Sequence, residues 1–142
     1  MQPMIKPELT MAQRVAQAVM DFQQQTTGHA PKAVTVVLSQ DTLVVALHEA
    51  LSPAEMDMAK SPSGAAQVQE FHRQLFSNSS QSLRAEIQRI TGVEWREAVA
   101  EVEPTTGAMV QAFARSAVVQ MFRLAQTASG EGGRAGRGPG DS

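Results

Sequence analysis

The sequence predicts an α+β domain: an antiparallel sheet of two hairpins, about four strands, with a long helix and shorter helices packed on it. Two observations predict this class. Segments in which apolar residues recur at helical spacing alternate with two pairs of β-rich segments, a pattern typical of helices covering one face of an antiparallel sheet. Glycines fall at the boundaries of these segments, at Gly28, Gly64, Gly92 and Gly107. The predicted order is α-β-β-α-α-β-β-α.

The first predicted helix begins after Thr10, whose side chain can cap it. Apolar residues recur at helical spacing from Met11 to Phe22, which predicts one buried stripe. Gly28 can end the helix in a left-handed turn. Pro31 prevents a further helical turn, so we expect the chain to continue as a strand.

The first hairpin is predicted from two β-rich runs, Ala33–Ser39 and Thr42–Glu49, on either side of Gln40-Asp41. A two-residue turn places three apolar pairs on one face: Val34 with Leu47, Val36 with Val45, and Leu38 with Leu43. The opposite face is mixed and carries Thr35, Val37, Val44, Ala46 and His48. A slip of one residue would break this match, so the register is well specified.

Two helices are predicted next. Ser52 can cap the first of them, with Pro53 at its first position and Glu55 reaching back to the cap amide. The second runs from Pro62 to Ile90 and is closed by Gly92. Its predicted apolar stripe is Val68, Phe71, Leu75, Leu83, Ile87 and Ile90. Serine and asparagine favour turns over helix interiors, so 77–82 predicts a kink or break.

The second hairpin pairs Val93–Glu103 with Ala108–Ala114 across a turn that ends at Gly107. A change of apolar phase between Trp95 and Ala98 suggests a bulge. A last helix is predicted over Arg115–Thr127, with an apolar side that includes Val118, Met121 and Phe122. Six of the ten glycines lie in residues 128–142, which we predict to be a disordered tail beyond a single domain over 8–127.

Composition excludes several classes of protein. The 142 residues carry a formal charge of −2 and no cysteine, which argues against a general nucleic-acid binder and against thiolate or disulfide chemistry. The apolar runs are far shorter than the about 20 residues of a membrane-spanning helix, and the first residues lack a signal peptide's apolar stretch. We therefore expect a cytoplasmic protein that does not itself cross a membrane.

Candidate chemical groups are few. His29, His48 and His72 lack the spacing of metal ligands, and neither a phosphate-binding loop nor a nucleophile elbow is present. We expect no catalytic residue, metal or cofactor. The acidic run Glu94, Glu97, Glu101 and Glu103 is typical of a solvated strand face. An enzyme that uses Glu97, Glu101 and His48 is the alternative, and it requires these three side chains to meet in a cleft.

The composition favours an interaction surface as the kind of site. Leu, Ile, Val and Phe together make up only about a fifth of the chain, close to the composition at which chains stay disordered. Helices on one side of the sheet would leave Val37, Val44 and Ala46 to be covered, and a second copy could cover them. We therefore predict a homodimer. The candidate interaction residues are Val37, Val44, Ala46, His48, Val118, Met121 and Phe122.

Residues 9–114 resemble a bacterial family of small soluble domains, named for the third component of a Na⁺-translocating, membrane-potential-generating system. Five stretches carry the resemblance: Phe22 with 28–32, the hairpin 34–47, 51–55 with 59–60, 73–75 with 90–93, and Thr106-Gly107 before Val110 and Phe113. The resemblance implies a non-enzymatic accessory subunit that acts by protein association, held at the inner membrane through a membrane-protein complex. A homodimeric regulatory domain, binding a small ligand or ion between the sheet and the helix 52–60, is the alternative.

Overall fold

The computed structural model describes residues 9–115, and the elements in this range confirm the predicted α+β class and order. The final predicted helix beyond Arg115, with Val118, Met121 and Phe122, and the tail 128–142 lie outside the described residues. Residues 9–115 form three helices and four strands: α1 (Met11–Thr27), β1 (Ala33–Leu38), β2 (Thr42–His48), α2 (Pro53–Met58), α3 (Pro62–Thr91), β3 (Glu97–Glu103) and β4 (Ala108–Ala114).

The four strands form one antiparallel sheet in the order β1-β2-β4-β3. Each hairpin is a pair of neighbours, and the two hairpins meet where β2 pairs with β4. The predicted register of the first hairpin is the one observed, with Val34 opposite Leu47 and Leu38 opposite Leu43. As a result β2 and β4 are central strands, while β1 and β3 form the two edges.

The hydrophobic core lies between one face of the sheet and the helices α1 and α3. Val15 and Val19 of α1 are fully buried, as is Ile87 of α3. From the sheet, the core receives Leu43, Val45, Leu47, Ala100, Val102, Met109 and Phe113. Burying each large aliphatic or aromatic side chain contributes about 1.5–3 kcal/mol to the free energy of folding. The packing of α1 and α3 on this face of the sheet is therefore the main source of the stability of the fold.

Side-chain caps fix where the helices begin. Thr10 accepts a hydrogen bond from the Gln13 N–H at 3.0 Å, and the Gln13 side chain accepts one from the Thr10 N–H at 2.8 Å. Ser52 and Glu55 form the same reciprocal arrangement at the start of α2, with Pro53 at the first helical position. These caps pair amide groups that a helix leaves without intrahelical partners.

Left-handed glycines end two of the helices. Gly28 (φ 79°) follows α1 and Gly92 (φ 75°) follows α3, and each donates its N–H to the carbonyl four residues earlier. A left-handed conformation costs other residues more than glycine. Pro31, which is buried, follows the first of these turns and leads the chain into β1.

The predicted break in α3 is wrong, since one helix runs unbroken over 30 residues, and the alternative of a kink stays a prediction. Ser79 donates its hydroxyl to the carbonyl of Leu75, and Ser80 is buried. Serine hydroxyls that bond to the preceding turn are compatible with a continuous helix. The predicted stripe is also partly wrong, because Phe71 is 55% exposed. The buried line passes instead through Val68, His72, Phe76, Ser80, Leu83, Ile87 and Ile90.

The bulge predicted between Trp95 and Ala98 does not lie inside β3. Directly before the strand, the Arg96 N–H donates at 2.9 Å to the carbonyl of Ala114, which is also opposite Glu97, so two residues face one there as in a bulge. β3 begins only at Glu97, and its register with β4 is continuous to Glu103. Trp95 precedes the strand and is 3% exposed, with its indole N–H donated to the Thr91 hydroxyl at 3.1 Å. The change of apolar phase therefore marks the start of the strand.

Candidate functional site

The face of the sheet opposite α1 and α3, which we call the open sheet face, has an apolar centre and polar margins. One row of side chains crosses all four strands: Val37, Val44, Ala112 and Val99. The next row contains Thr35, Ala46, Val110 and Glu101. Val37 is 62% exposed and Val110 is 45% exposed. Within residues 9–115 neither α1 nor α3 packs on these rows, so the open sheet face is a candidate interaction surface of the described chain.

The four sequence-predicted interaction residues that are described all lie on this face. Val37 projects from the edge strand β1, while Val44 and Ala46 are half-buried on the central strand β2. His48 is exposed at the end of β2, and its Nε2 atom is 3.1 Å from the Thr35 hydroxyl. Their role in association stays a prediction.

Acidic side chains border the open sheet face along β3. Glu97, Glu101 and Glu103 alternate on that side of the strand. Arg73 of α3 reaches the strand edge and donates to both oxygens of Glu101, at 2.8 and 3.1 Å, and these bonds raise the pKa of the guanidinium. Glu103 accepts hydrogen bonds from the turn amides of Thr106 and Thr105, which lower its pKa. The border therefore carries net negative charge.

The three residues of the enzyme alternative are not brought together. His48 and Glu97 lie at opposite ends of the sheet, because Glu97 shares a row with Thr42. Thr42 and His48 are six steps apart along β2, a distance of about 20 Å. Glu101 is engaged by Arg73. No cleft joins the three side chains within residues 9–115.

A surface groove of ≈ 380 Å³ lies at the end of the sheet where β2 leads into α2. It is the place at which the alternative hypothesis expected a ligand, between the sheet and α2. Its walls combine one carboxylate, one imidazole and apolar side chains: His29, Glu49, Leu51, Pro53, Met56 and Thr106.

Glu49 gives this groove an unusual backbone. Among residues 9–115, Glu49 alone combines a side chain with a positive φ, of 52°. This conformation is uncommon for glutamate. The His29 Nε2 atom is 3.2 Å from the Glu49 carbonyl oxygen, and Lys32 lies 3.6 Å from its carboxylate. Residues in such conformations are frequent at binding sites.

A contact between a buried histidine and a partly buried glutamate joins α2 to α3. The Nε2 atom of His72, a residue 3% exposed, is 2.7 Å from the Oε2 atom of Glu55. The other oxygen of Glu55 accepts the Ser52 N–H at 2.9 Å. Burial raises the pKa of Glu55, but the Ser52 hydrogen bond and the His72 contact together lower it below its usual value of 4.5. The same carboxylate thus caps α2 and holds it on α3.

A second buried polar pair lies under the centre of the sheet. Gln111 is fully buried on β4, and its Nε2 atom donates to Oε1 of Gln23 at 3.4 Å. Gln23 Nε2 and Gln111 Oε1 have no hydrogen-bond partner among residues 9–115. Each unpaired buried group costs about 1–3 kcal/mol. The cavity that Gln23 lines, ≈ 10 Å³, is too small for a ligand.

The three histidines lie apart and have different partners: Glu49, Thr35 and Glu55. Among the described residues no three His, Asp or Glu side chains are grouped so that they could hold a metal ion. In the same part of the chain, no helix combines the length and the apolar character needed to cross a membrane.

Sequence reasoning missed Val99, Val110 and Ala112, since the order of strands decides which residues of the second hairpin join the open sheet face. It also missed the pairing of His72 with Glu55. A signal for it was present: His72 lies four residues after Val68, on the line of α3 that is buried.

These features define the class of the protein as a small α+β domain whose antiparallel sheet is covered by helices on one face. The chain belongs to the family described as the Na⁺-translocating membrane potential-generating system (MpsC), which it matches over residues 8–116. This match confirms the resemblance and connects the chain with a membrane-potential-generating system. The searches of curated proteins and of solved structures gave no match.

Proposed function

We propose that this chain is a non-enzymatic accessory subunit of a membrane cation-translocating complex and acts by protein association through its open sheet face. It is a cytoplasmic protein held at the inner membrane by its partner. The partner contributes an apolar segment flanked by Lys or Arg.

The single observation that carries the proposal is the apolar row Val37, Val44, Ala112 and Val99 across the whole sheet. Exposed apolar patches with polar rims are typical of protein interaction sites. Family membership supplies the membrane system as the setting.

Charge supports the choice of partner. The acidic border at Glu97, Glu101 and Glu103 disfavours direct contact with an anionic lipid surface and favours a basic segment. Cytoplasmic loops of membrane proteins carry an excess of Lys and Arg close to the ends of their spanning helices. Such a segment matches both the apolar centre and the acidic border of the open sheet face.

The test is co-purification of the full chain with the co-expressed membrane subunits of its system in detergent. Val110→Lys places a charge in the centre of the open sheet face, where Val110 is 45% exposed. Phe71→Lys is the matched control, because Phe71 is 55% exposed on α3, away from that face. We expect Val110→Lys to reduce co-purification at least tenfold and Phe71→Lys to leave it unchanged, with both variants folded by circular dichroism. Equal binding by the two variants, or no binding by the wild type, would refute the proposal.

The groove beside α2 supports a second candidate function, a regulatory domain that binds a small ligand or ion. The groove combines the strained Glu49 with His29 and an apolar wall. Thermal-shift measurements with panels of ions and metabolites test it. We expect a binding compound to raise the melting temperature of the wild type and of His48→Ala but not of His29→Ala, since His48 lies on the open sheet face. A panel without any shift counts against this function.

A further inference from the structure

The two edges of the sheet differ in how their backbone groups are covered. At the β3 edge, α3 supplies side chains to the strand: Gln69 Nε2 donates to the Val102 carbonyl at 3.3 Å, and Arg73 binds Glu101. Arg84 covers the approach to the strand by donating to the Arg96 carbonyl at 3.0 Å. A second chain cannot pair with β3 without displacing these contacts.

The β1 edge has no such cover within residues 9–115. The Ser39 N–H donates to the Thr42 carbonyl at the hairpin turn. Because hydrogen-bonded pairs alternate along an antiparallel ladder, the odd-numbered residues of β1 bond to β2. The N–H and C=O groups of Val34, Val36 and Leu38 therefore point away from the sheet, and no described hydrogen bond uses them.

The sequence of β1 lacks the features that keep edge strands apart. Its six residues, Ala-Val-Thr-Val-Val-Leu, contain no charge and no proline, and its pairing with β2 has no bulge. Soluble proteins usually protect an edge with Lys, Pro, a bulge or a covering element. An unprotected, regular and apolar edge is a template for another strand.

We propose that β1 pairs in antiparallel fashion with β1 of a second copy, about a two-fold axis at Val36, and so forms an eight-stranded sheet. Val36 then lies opposite Val36 of the second copy, Val34 opposite Leu38, and Thr35 opposite Val37. In this register the outward-pointing groups of Val34, Val36 and Leu38 become the hydrogen-bonded pairs. A closed two-fold interface uses the same residues from both copies.

This register places compatible side chains opposite each other. In each pair the two residue numbers are both even or both odd. The core-facing side chains of the two copies therefore lie on one face of the eight-stranded sheet, and the open sheet faces lie on the other. Lys32, the nearest basic residue, lies opposite Gln40 of the second copy, so no two like charges meet. The half-buried side chains Val34, Val36 and Leu38 become more buried, and the open sheet faces of the two copies join into one surface of double width.

The dimer does not depend on the membrane partner, and two matched variants separate the two interfaces. Val37→Lys puts a charge on the edge strand, and Val110→Lys puts one on the central strand of the same face. Sedimentation equilibrium of the full chain over about 1–300 µM covers the affinities expected for a small interface. We expect the wild type and Val110→Lys to approach about twice the monomer mass of 15.2 kDa, and Val37→Lys to remain a monomer. A monomeric wild type, or a dimer lost only in Val110→Lys, would overturn the proposal.

If both variants are monomeric, the distance between spin labels in the dimer without these substitutions distinguishes edge pairing from face-to-face packing. The chain contains no cysteine, so Glu101→Cys provides one label on each β3. Seven strand spacings separate the two β3 strands in the eight-stranded sheet, which gives about 34 Å. Two sheets packed face to face lie about 10 Å apart and would bring these labels within about 20 Å. The longer distance supports edge pairing, and the shorter one overturns it. If Val37→Lys and Val110→Lys both remain dimers, a label distance near 34 Å also supports edge pairing through β1.

Discussion

The Glu55 carboxylate should contribute more to stability than a helix cap alone. It accepts the Ser52 N–H at 2.9 Å and lies 2.7 Å from Nε2 of the buried His72. Glu55→Ala removes both contacts and leaves the His72 nitrogen without its partner. We therefore expect this substitution to lower the free energy of unfolding and to loosen α2 from α3.

The expected magnitude follows from the two bonds. A net hydrogen bond such as the one to Ser52 contributes about 0.5–1.5 kcal/mol, and a bond with a charged partner about 1.5–3 kcal/mol. The two contributions add to about 2–4.5 kcal/mol. Ser52→Ala, by contrast, removes only the cap and should cost about 1 kcal/mol. Ser52→Ala leaves both contacts of the Glu55 carboxylate in place, because it removes only the reciprocal bond from the Glu55 N–H to the Ser52 hydroxyl.

Urea unfolding at neutral pH, followed by circular dichroism, measures these differences from the transition midpoint at constant slope. A double-mutant cycle with His72→Leu adds the direct coupling between the two side chains, which should be about 1–3 kcal/mol. Our reasoning is refuted if Glu55→Ala costs no more than Ser52→Ala, or if the cycle gives no coupling. Either result would mean that α2 is held by its apolar contacts alone.

Three further predictions concern stability. Glu55 has a lowered pKa in the folded state. Its contribution to the free energy of unfolding is therefore complete above the usual pKa of 4.5 and is lost as the pH falls below that value. Glu55→Gln should flatten the acid side of the curve of stability against pH, measured by thermal melts from neutral pH to about pH 3. Gly64→Ala would make a methyl group clash with the Met58 carbonyl oxygen. It should cost about 1–3 kcal/mol in urea unfolding, whereas Ala65→Ser should be nearly neutral. Gln23→Leu alone should destabilise the domain by about 1–3 kcal/mol, because Gln111 loses its hydrogen-bond partner. Adding Gln111→Leu should recover most of that loss. A double variant less stable than the single one would contradict this prediction.

Local sequence signals were sufficient for much of the fold. The register of the first hairpin followed from a two-residue turn and three apolar pairs, since a slip would expose Leu43 and Leu47. The capping residues Thr10 and Ser52 were recognisable because a cap depends on neighbours within four positions. These features involve contacts that are close in the chain.

Long-range contacts account for what could not be predicted. The order β1-β2-β4-β3 brings Val110 beside Ala46, and no local pattern specifies this neighbour. Phe71 was assigned to the core because it is apolar, yet the buried line of α3 passes through the polar His72 and Ser80. His72 is buried because Glu55, 17 residues earlier, provides its partner.

The pairing of β2 with β4 also has a kinetic consequence. Each hairpin and α3 can form from nearby residues, but β2 meets β4 only after a segment that contains α2, α3 and β3 is closed into a loop. Loop closure of this length delays non-local contacts. Docking of the two hairpins should therefore limit the rate of folding. Ala46→Gly and a substitution in the Gln40-Asp41 turn, which forms before docking, should both slow refolding more than they speed unfolding.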